Sequence, residues 1–364
     1  MMPLWLKRDY KAVGLALTSC AGGLILMRLV VYFAALPSDT YGQELGGNAL
    51  FALCSQLIFF LAIPFCIYKF YGKRTVKQTL EFSSVGKFKP YFLLAIPLGV
   101  GVFFMTIGVS SMWTGLLKLT GYTVANSVDN MPDKFVFGFF VVDVLLTAIL
   151  PALCEEFAMR GGLLTTAQNS FKRWGCIILC GIVFGLFHQN IRQVFYTALF
   201  GALAAYLTLR TKSLYPAMLM HFTNNFCSVF IDYADHYNWA VGGGFYRMIG
   251  GMPVWALMLV FLAVAAFCAA MVVLMMYIRD KQVLNKKTEE LKNCAFDATN
   301  KRVVMFGEFD PEKVRELEME REVYGADYTV TRYKPSLRDV AVFIALGVVT
   351  LLTTIFTYVW GFFY

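Results

Sequence analysis

Nine apolar runs, most of them about 20 residues long, divide this chain. They fall at about 12–36, 48–70, 91–118, 135–157, 174–188, 194–209, 214–232, 253–278 and 340–362. The hydrocarbon core of a bilayer is about 30 Å thick, and an α-helix needs about 20 apolar residues to cross it. Within that core every backbone N–H and C=O must be paired inside the protein, which leaves helices as the form such runs adopt. The sequence therefore predicts an all-α fold: a polytopic transmembrane helical bundle of eight core helices plus a C-terminal ninth. Composition excludes the alternatives. Hydrophobic residues make up 58% and charged residues 15%, against about 45–50% and about 25% in soluble domains. A soluble enzyme, a disordered chain and a small disulfide scaffold are all ruled out. Eight of the nine cysteines lie in apolar stretches and no CxxC occurs, so the cysteines read as small hydrophobes rather than a metal cluster or disulfide frame.

The polar loops give an orientation. Lys7, Arg8 and Lys11 precede the first run, and the next loop carries Asp39 and Glu44. Lys69, Lys73, Arg74, Lys77, Lys87 and Lys89 follow, then Asp129 and Asp133. Lys172, Arg173, Arg210 and Lys212 fall on the basic side again, and Asp232 and Asp235 on the other. Basic loops stay in the cytoplasm, so the N-terminus is expected there and the C-terminus outside the cell membrane. The net charge of +8 is read in the same way, and no nucleic-acid partner is inferred. Five parts are expected: helices 1–3 in 1–134, a core of helices 4–7 in 135–232, helix 8 in 233–279, a polar cytoplasmic insert in 280–337 and a last helix in 338–364. Within the insert, Asp310-Pro311-Glu312 reads as the start of a short helix. The basic start is read as a retained anchor, because its apolar run is too long for a signal peptide.

Ionisable residues within apolar runs are expensive and mark function. Asp143, Glu155 and Glu156 stand in such a context, as do two of the three histidines, His188 and His221. Glu156 and Arg160 are four apart and can pair on one helix face, with Glu155 rotated away from them and left for other partners. Asp143 is a candidate partner for Arg28. Phe184 precedes His188 by four, and His221 precedes Asn225 by four. The fifth and sixth runs are short, so their connection, Gln189–Gln193, is expected at membrane depth, where irregular backbone survives only inside protein or beside a water-filled cavity. At about 1.5 Å per residue His188 lies about 24 Å from Lys172. The two histidines, Asn225 and Glu155 are then expected to converge at mid-membrane, a set that suits an activated water plus an oxyanion hole. Gly181 and Gly185 make a GxxxG, which allows close helix approach.

Glu155-Glu156-Phe-Ala-Met-Arg160, Phe184-Gly-Leu-Phe-His188 and His221-Phe-Thr-Asn-Asn225 resemble the EExxxR, FxxxH and HxxxN motifs of the CPBP (Abi) family. That family contains CAAX-processing Ras-converting endoproteases and bacterial bacteriocin-processing or immunity proteins. The resemblance covers about 135–232. It implies an intramembrane endopeptidase acting on a membrane-associated or lipidated peptide within the lipid bilayer. It also implies roles: Glu155 as general base with His188 beside it, His221 and Asn225 as oxyanion donors, and Glu156 and Arg160 as supports. No cofactor is expected; zinc on two histidines and a carboxylate is the alternative. Met159 departs from the family, whose members often carry Phe there. HExxH, GxGD, GxSG and P-loop motifs are absent. Two other readings stand beside this one: a non-catalytic scaffold or bacteriocin-immunity protein on the same fold, and a transporter with a proton relay. No internal repeat supports the transporter.

Overall fold

The structure is a computed structural model that describes residues 4–34, 49–73, 88–122, 137–292, 295–297, 302–304, 336–360 and 362. Each of the nine apolar runs is a helix. They are α1 (Leu4–Ala34), α2 (Ala49–Tyr71), α3 (Pro90–Leu119), α4 (137–167), α5 (Arg173–Phe187), α6 (Val194–Thr211), α7 (Tyr215–His236), α9 (Val254–Lys292) and α10 (Leu337–Trp360). A short helix not read from the sequence, α8 (Phe245–Gly250), follows α7. Among the described residues six helices are long and apolar enough to cross a membrane: α1, α2, α3, α6, α9 and α10. The chain is a multi-pass membrane protein. The three other long helices, α4, α5 and α7, are shorter or more polar; they carry six of the seven candidate site residues, and the seventh, His188, caps α5.

Two boundaries differ from the sequence reading. α4 continues beyond the apolar run, through Arg160 to Ala167. α9 continues to Lys292, so the boundary expected at 279/280 lies inside a helix. Gln282-Val-Leu-Asn-Lys-Lys-Thr-Glu-Glu contains no glycine or proline, and good helix formers extend a helix once it is nucleated. Beyond it a small antiparallel hairpin pairs Ala295–Asp297 with Arg302–Val304. The helix expected from Pro311 lies outside the described residues.

Contacts between helix ends confirm the up-and-down path. At one end Tyr10 of α1 meets Ser170 after α4 and packs against Phe343 of α10, and Arg210 at the end of α6 pairs with Asp280 of α9 at 3.0 Å. At the other end the Tyr358 hydroxyl of α10 donates to Thr120 after α3 at 2.9 Å, and Trp113 of α3 reaches the α5–α6 turn. On α1 the buried stripe is Ala12, Val13, Ala16, Leu17, Cys20 and Ala21, whose mostly small side chains let neighbouring helices approach. The α5–α6 pair is tightest. A Cβ added at Gly185 would lie 2.6 Å from the Val194 carbonyl oxygen, and one at Gly181 would lie 2.7 Å from that of Ala198. The expected GxxxG contact is therefore present. Leu259, Leu262 and Val273 of α9 and Leu352 and Phe356 of α10 are exposed, as suits helices whose solvent is lipid.

Candidate active site

The site grows from a pair of adjacent carboxylates in α4. α4 is α-helical through Leu150–Glu156, with widened π-helical stretches on either side at Val144–Ile149 and Phe157–Leu164. Such turns recur at functional sites because the extra residue per turn re-aims neighbouring side chains. Successive residues on a helix point about 100° apart, so the two carboxylates meet different neighbours.

Glu156 is fully buried. Its Oε1 accepts from Arg160 Nη1 at 3.0 Å and contacts His221 Nδ1 of α7 at 2.9 Å. Arg160 is also buried and does three things: it pairs with Glu156, donates from Nη2 to the Gly201 carbonyl of α6 at 2.9 Å, and stacks its guanidinium 4.8 Å from the Phe184 ring centre. The planar fork of arginine is what permits two directed bonds and a stacked face at once. The pairing expected between Glu156 and Arg160 is thus present, with His221 as a third member.

Glu155 is half-buried, and its partner was not read from the sequence. Gln56 of α2 donates from Nε2 to Glu155 Oε1 at 2.8 Å. The available signal was an amide inside an apolar run, since Gln56 stands between Ser55 and Leu57 in a stretch otherwise rich in Leu, Ile and Phe. Phe60, one turn further along α2, packs edge-on against Phe187, the residue before His188.

His188 caps α5. Its Nδ1 lies 2.9 Å from the Phe184 carbonyl oxygen. A carbonyl only accepts, so Nδ1 carries the proton and the lone pair of the neutral ring sits on Nε2. The Phe184 ring packs against both histidines, with centroids 4.9 Å from His188 and 6.0 Å from His221, and Phe200 packs on His221 at 4.9 Å. The motif phenylalanine is thus the wall that His188, His221 and Arg160 share.

The turn after α5 is held from three sides. Gln189 adopts a left-handed φ of 48° and donates from Nε2 to the Ala21 carbonyl of α1 at 3.2 Å. Trp113 Nε1 donates to the Ile191 carbonyl at 2.6 Å, and the Ile191 N–H donates to Thr357 Oγ1 of α10 at 2.9 Å. Gln189 is buried and residues 190–193 are partly exposed, and the Ile191 carbonyl and N–H find side-chain partners from α3 and α10.

Asn225 lies one turn beyond His221. It donates from Nδ2 to the Thr147 carbonyl of α4 at 3.0 Å, and its Oδ1 accepts from Asn224 Nδ2 at 2.9 Å. The amide ties α7 to the widened turn of α4 and leaves one N–H for another acceptor. Asp143 accepts from the Tyr233 hydroxyl at 2.6 Å; the side chain of Arg28, named as its candidate partner, lies outside the described residues. Among the described residues no group of three or more His, Cys, Asp and Glu is arranged to hold a metal ion.

Comparison with protein families matches residues 137–227 to the Rce1-like family, described as type II CAAX prenyl endopeptidase Rce1-like. All seven motif residues fall in that segment, and the match bears out the resemblance to the CPBP family read from their spacing. Comparison with curated proteins gives no match, and neither does comparison with solved structures.

Proposed function

We propose that a chain carrying this Rce1-like segment is an intramembrane endopeptidase of the CAAX-protease type, hydrolysing a peptide bond of a membrane-associated or lipidated peptide. The observation that carries the reading is the different backing of the two histidines. His188 Nδ1 faces a carbonyl and His221 Nδ1 faces the buried carboxylate of Glu156. The first arrangement puts the lone pair of a neutral His188 on Nε2, the form assigned to accept a water hydrogen in this reading. The second holds the His221 ring by its Nδ1 and leaves Nε2 as the atom assigned to the oxyanion.

The reaction follows from those roles. A water held by Glu155 and His188 attacks the scissile carbonyl carbon, and Glu155 takes its proton. The carbonyl oxygen becomes an oxyanion, met by His221 Nε2–H and the second N–H of Asn225. Collapse of the tetrahedral intermediate breaks the C–N bond, and Glu155 returns the proton to the leaving amine. Glu156 and Arg160 hold His221 and Phe184 in place. Glu155 suits the base because its only protein partner among the described residues is a neutral amide, whereas Glu156 is committed to a guanidinium and an imidazole. The N-terminus is placed in the cytoplasm and the C-terminus outside, on the alternation of basic loops.

The test uses a quenched fluorescent peptide ending in a farnesylated CAAX sequence, its unlipidated counterpart, and membrane peptidomes of cells carrying the wild type or Glu155→Gln. Glu155→Gln keeps the size and removes the base. It is expected to abolish cleavage, a loss of about 100-fold or more, with folding unchanged. Full activity in that variant, or peptidomes that do not differ, overturns the reading. We also propose that the reaction needs no metal: activity is expected to survive exhaustive chelation, and stoichiometric zinc that is lost in His188→Ala is the contrary result.

A further inference from the structure

The Gln56–Glu155 hydrogen bond crosses from α2, outside the family-matched segment, into its centre. Gln56 is only 7% exposed. A carboxylate accepts and does not donate, so the amide must turn Nε2 toward Glu155 and Oε1 away from it. That Oε1 is buried with no hydrogen-bond partner among the described residues. An amide kept in an apolar helix to hold the bundle together is expected to be satisfied at both ends, because a buried unpaired acceptor is costly. This one is satisfied only at Glu155. Its presence is therefore not explained by packing or by a polar network.

The surroundings of Gln56 point the same way. It lies in a widened π-helical stretch, Cys54–Ala62, and meets α4 in the α-helical stretch Leu150–Glu156 that separates that helix's own two widened turns. From that stretch Gln56 reaches Glu155, while Phe60 reaches Phe187, the residue before His188. One helix thus contacts Glu155 directly and packs on the residue that precedes His188.

We propose that Gln56 is a positioning residue for Glu155: its Nε2–H fixes the rotamer of the general base and aims the second carboxylate oxygen at the water. The proposal rests on the endopeptidase reading for its kinetic consequence, and on the hydrogen bond alone for its spectroscopic one. It extends the reacting assembly to α2, which the family-matched segment does not include.

Gln56→Met keeps length and removes both amide groups, and Gln56→Leu is the second variant if the first does not fold. Purified protein is assayed with the farnesylated CAAX peptide. The carboxylate band of Glu155 is isolated by isotope-edited infrared difference against Glu155→Gln. The expected result is a fall in kcat of about 10-fold or more, the size that supporting partners of reactive groups contribute. KM should change by less than about twofold, and the Glu155 carboxylate band should shift because it has lost a donor. Unfolding temperature is expected to stay level or rise, since the orphaned acceptor is removed. An unmoved band in a folded variant overturns the proposal, as does an unchanged kcat in an enzyme that Glu155→Gln inactivates. A wild type that cleaves nothing, with a band that still shifts, sinks the endopeptidase reading and leaves the positioning role standing. Cleavage by the wild type with no shift does the reverse.

Discussion

The Glu156–Arg160–His221 cluster contains a fully buried carboxylate and a buried guanidinium. Removing one partner of such a pair leaves an uncompensated buried charge and costs about 3–5 kcal/mol. Arg160→Met is therefore expected to lower the unfolding temperature in detergent sharply. The double variant Glu156→Gln with Arg160→Met is expected to recover much of the loss. Thermal unfolding of the four members of that cycle checks it, and a coupling below about 0.5 kcal/mol would show the two residues acting independently. The pairing of Glu156 with Arg160 was legible because four residues make one helical turn. The contact of Glu156 with His221 was not, because 65 positions separate them and helix periodicity says nothing about which face meets a neighbour. Gln56 was missed for the same reason: its partner is 99 positions away.

At the scale of elements, the α5–α6 hairpin fixes where His188 stands. Gly185 lies three residues before that histidine, and a side chain there would strike the Val194 backbone. Gly185→Val is expected to wedge the hairpin open, displace His188 and abolish cleavage. Gly347 of α10 has nothing within 4 Å of an added Cβ, and Gly347→Ala is expected to change stability by less than about 1 kcal/mol. Equal losses from the two variants would show that helix spacing is not what Gly185 protects; cleavage rates and unfolding temperatures measured together decide it. Apolar length made every long helix visible in the sequence. The widened turns of α2 and α4 left no comparable trace, because a π-helical turn changes neither the length nor the apolar character of a run. Only the polar break at Gln189–Gln193 announced an irregularity, and there the structure supplies the protein partners that the chemistry demands.

For the whole molecule, the basic end of α1 lies beside Ser170, and the alternating helices put the α6–α9 ion pair at that same end and the Asp232–Asp235 region at the opposite one. In a cysteine-free background, an impermeant maleimide on intact cells is expected to label Asn238→Cys and to spare Lys73→Cys until the membrane is opened. The opposite pattern inverts the orientation. The three motifs carried the core of the bundle, but they are silent about α10, which lies outside the matched segment and yet donates an anchor to the turn that follows His188. That anchor, Thr357, lies 166 residues beyond Ile191. Chains are made from the N-terminus at about 5–20 residues per second, so translation alone separates the two partners by about 8–33 s. During that interval α4 to α7 can already be in the bilayer, with Glu155 and both imidazoles present but the turn short of its last tether. Biosynthesis thus imposes a lag between insertion of the motif helices and the tying down of that turn, and the nascent chain meets its host membrane before that last bond can form.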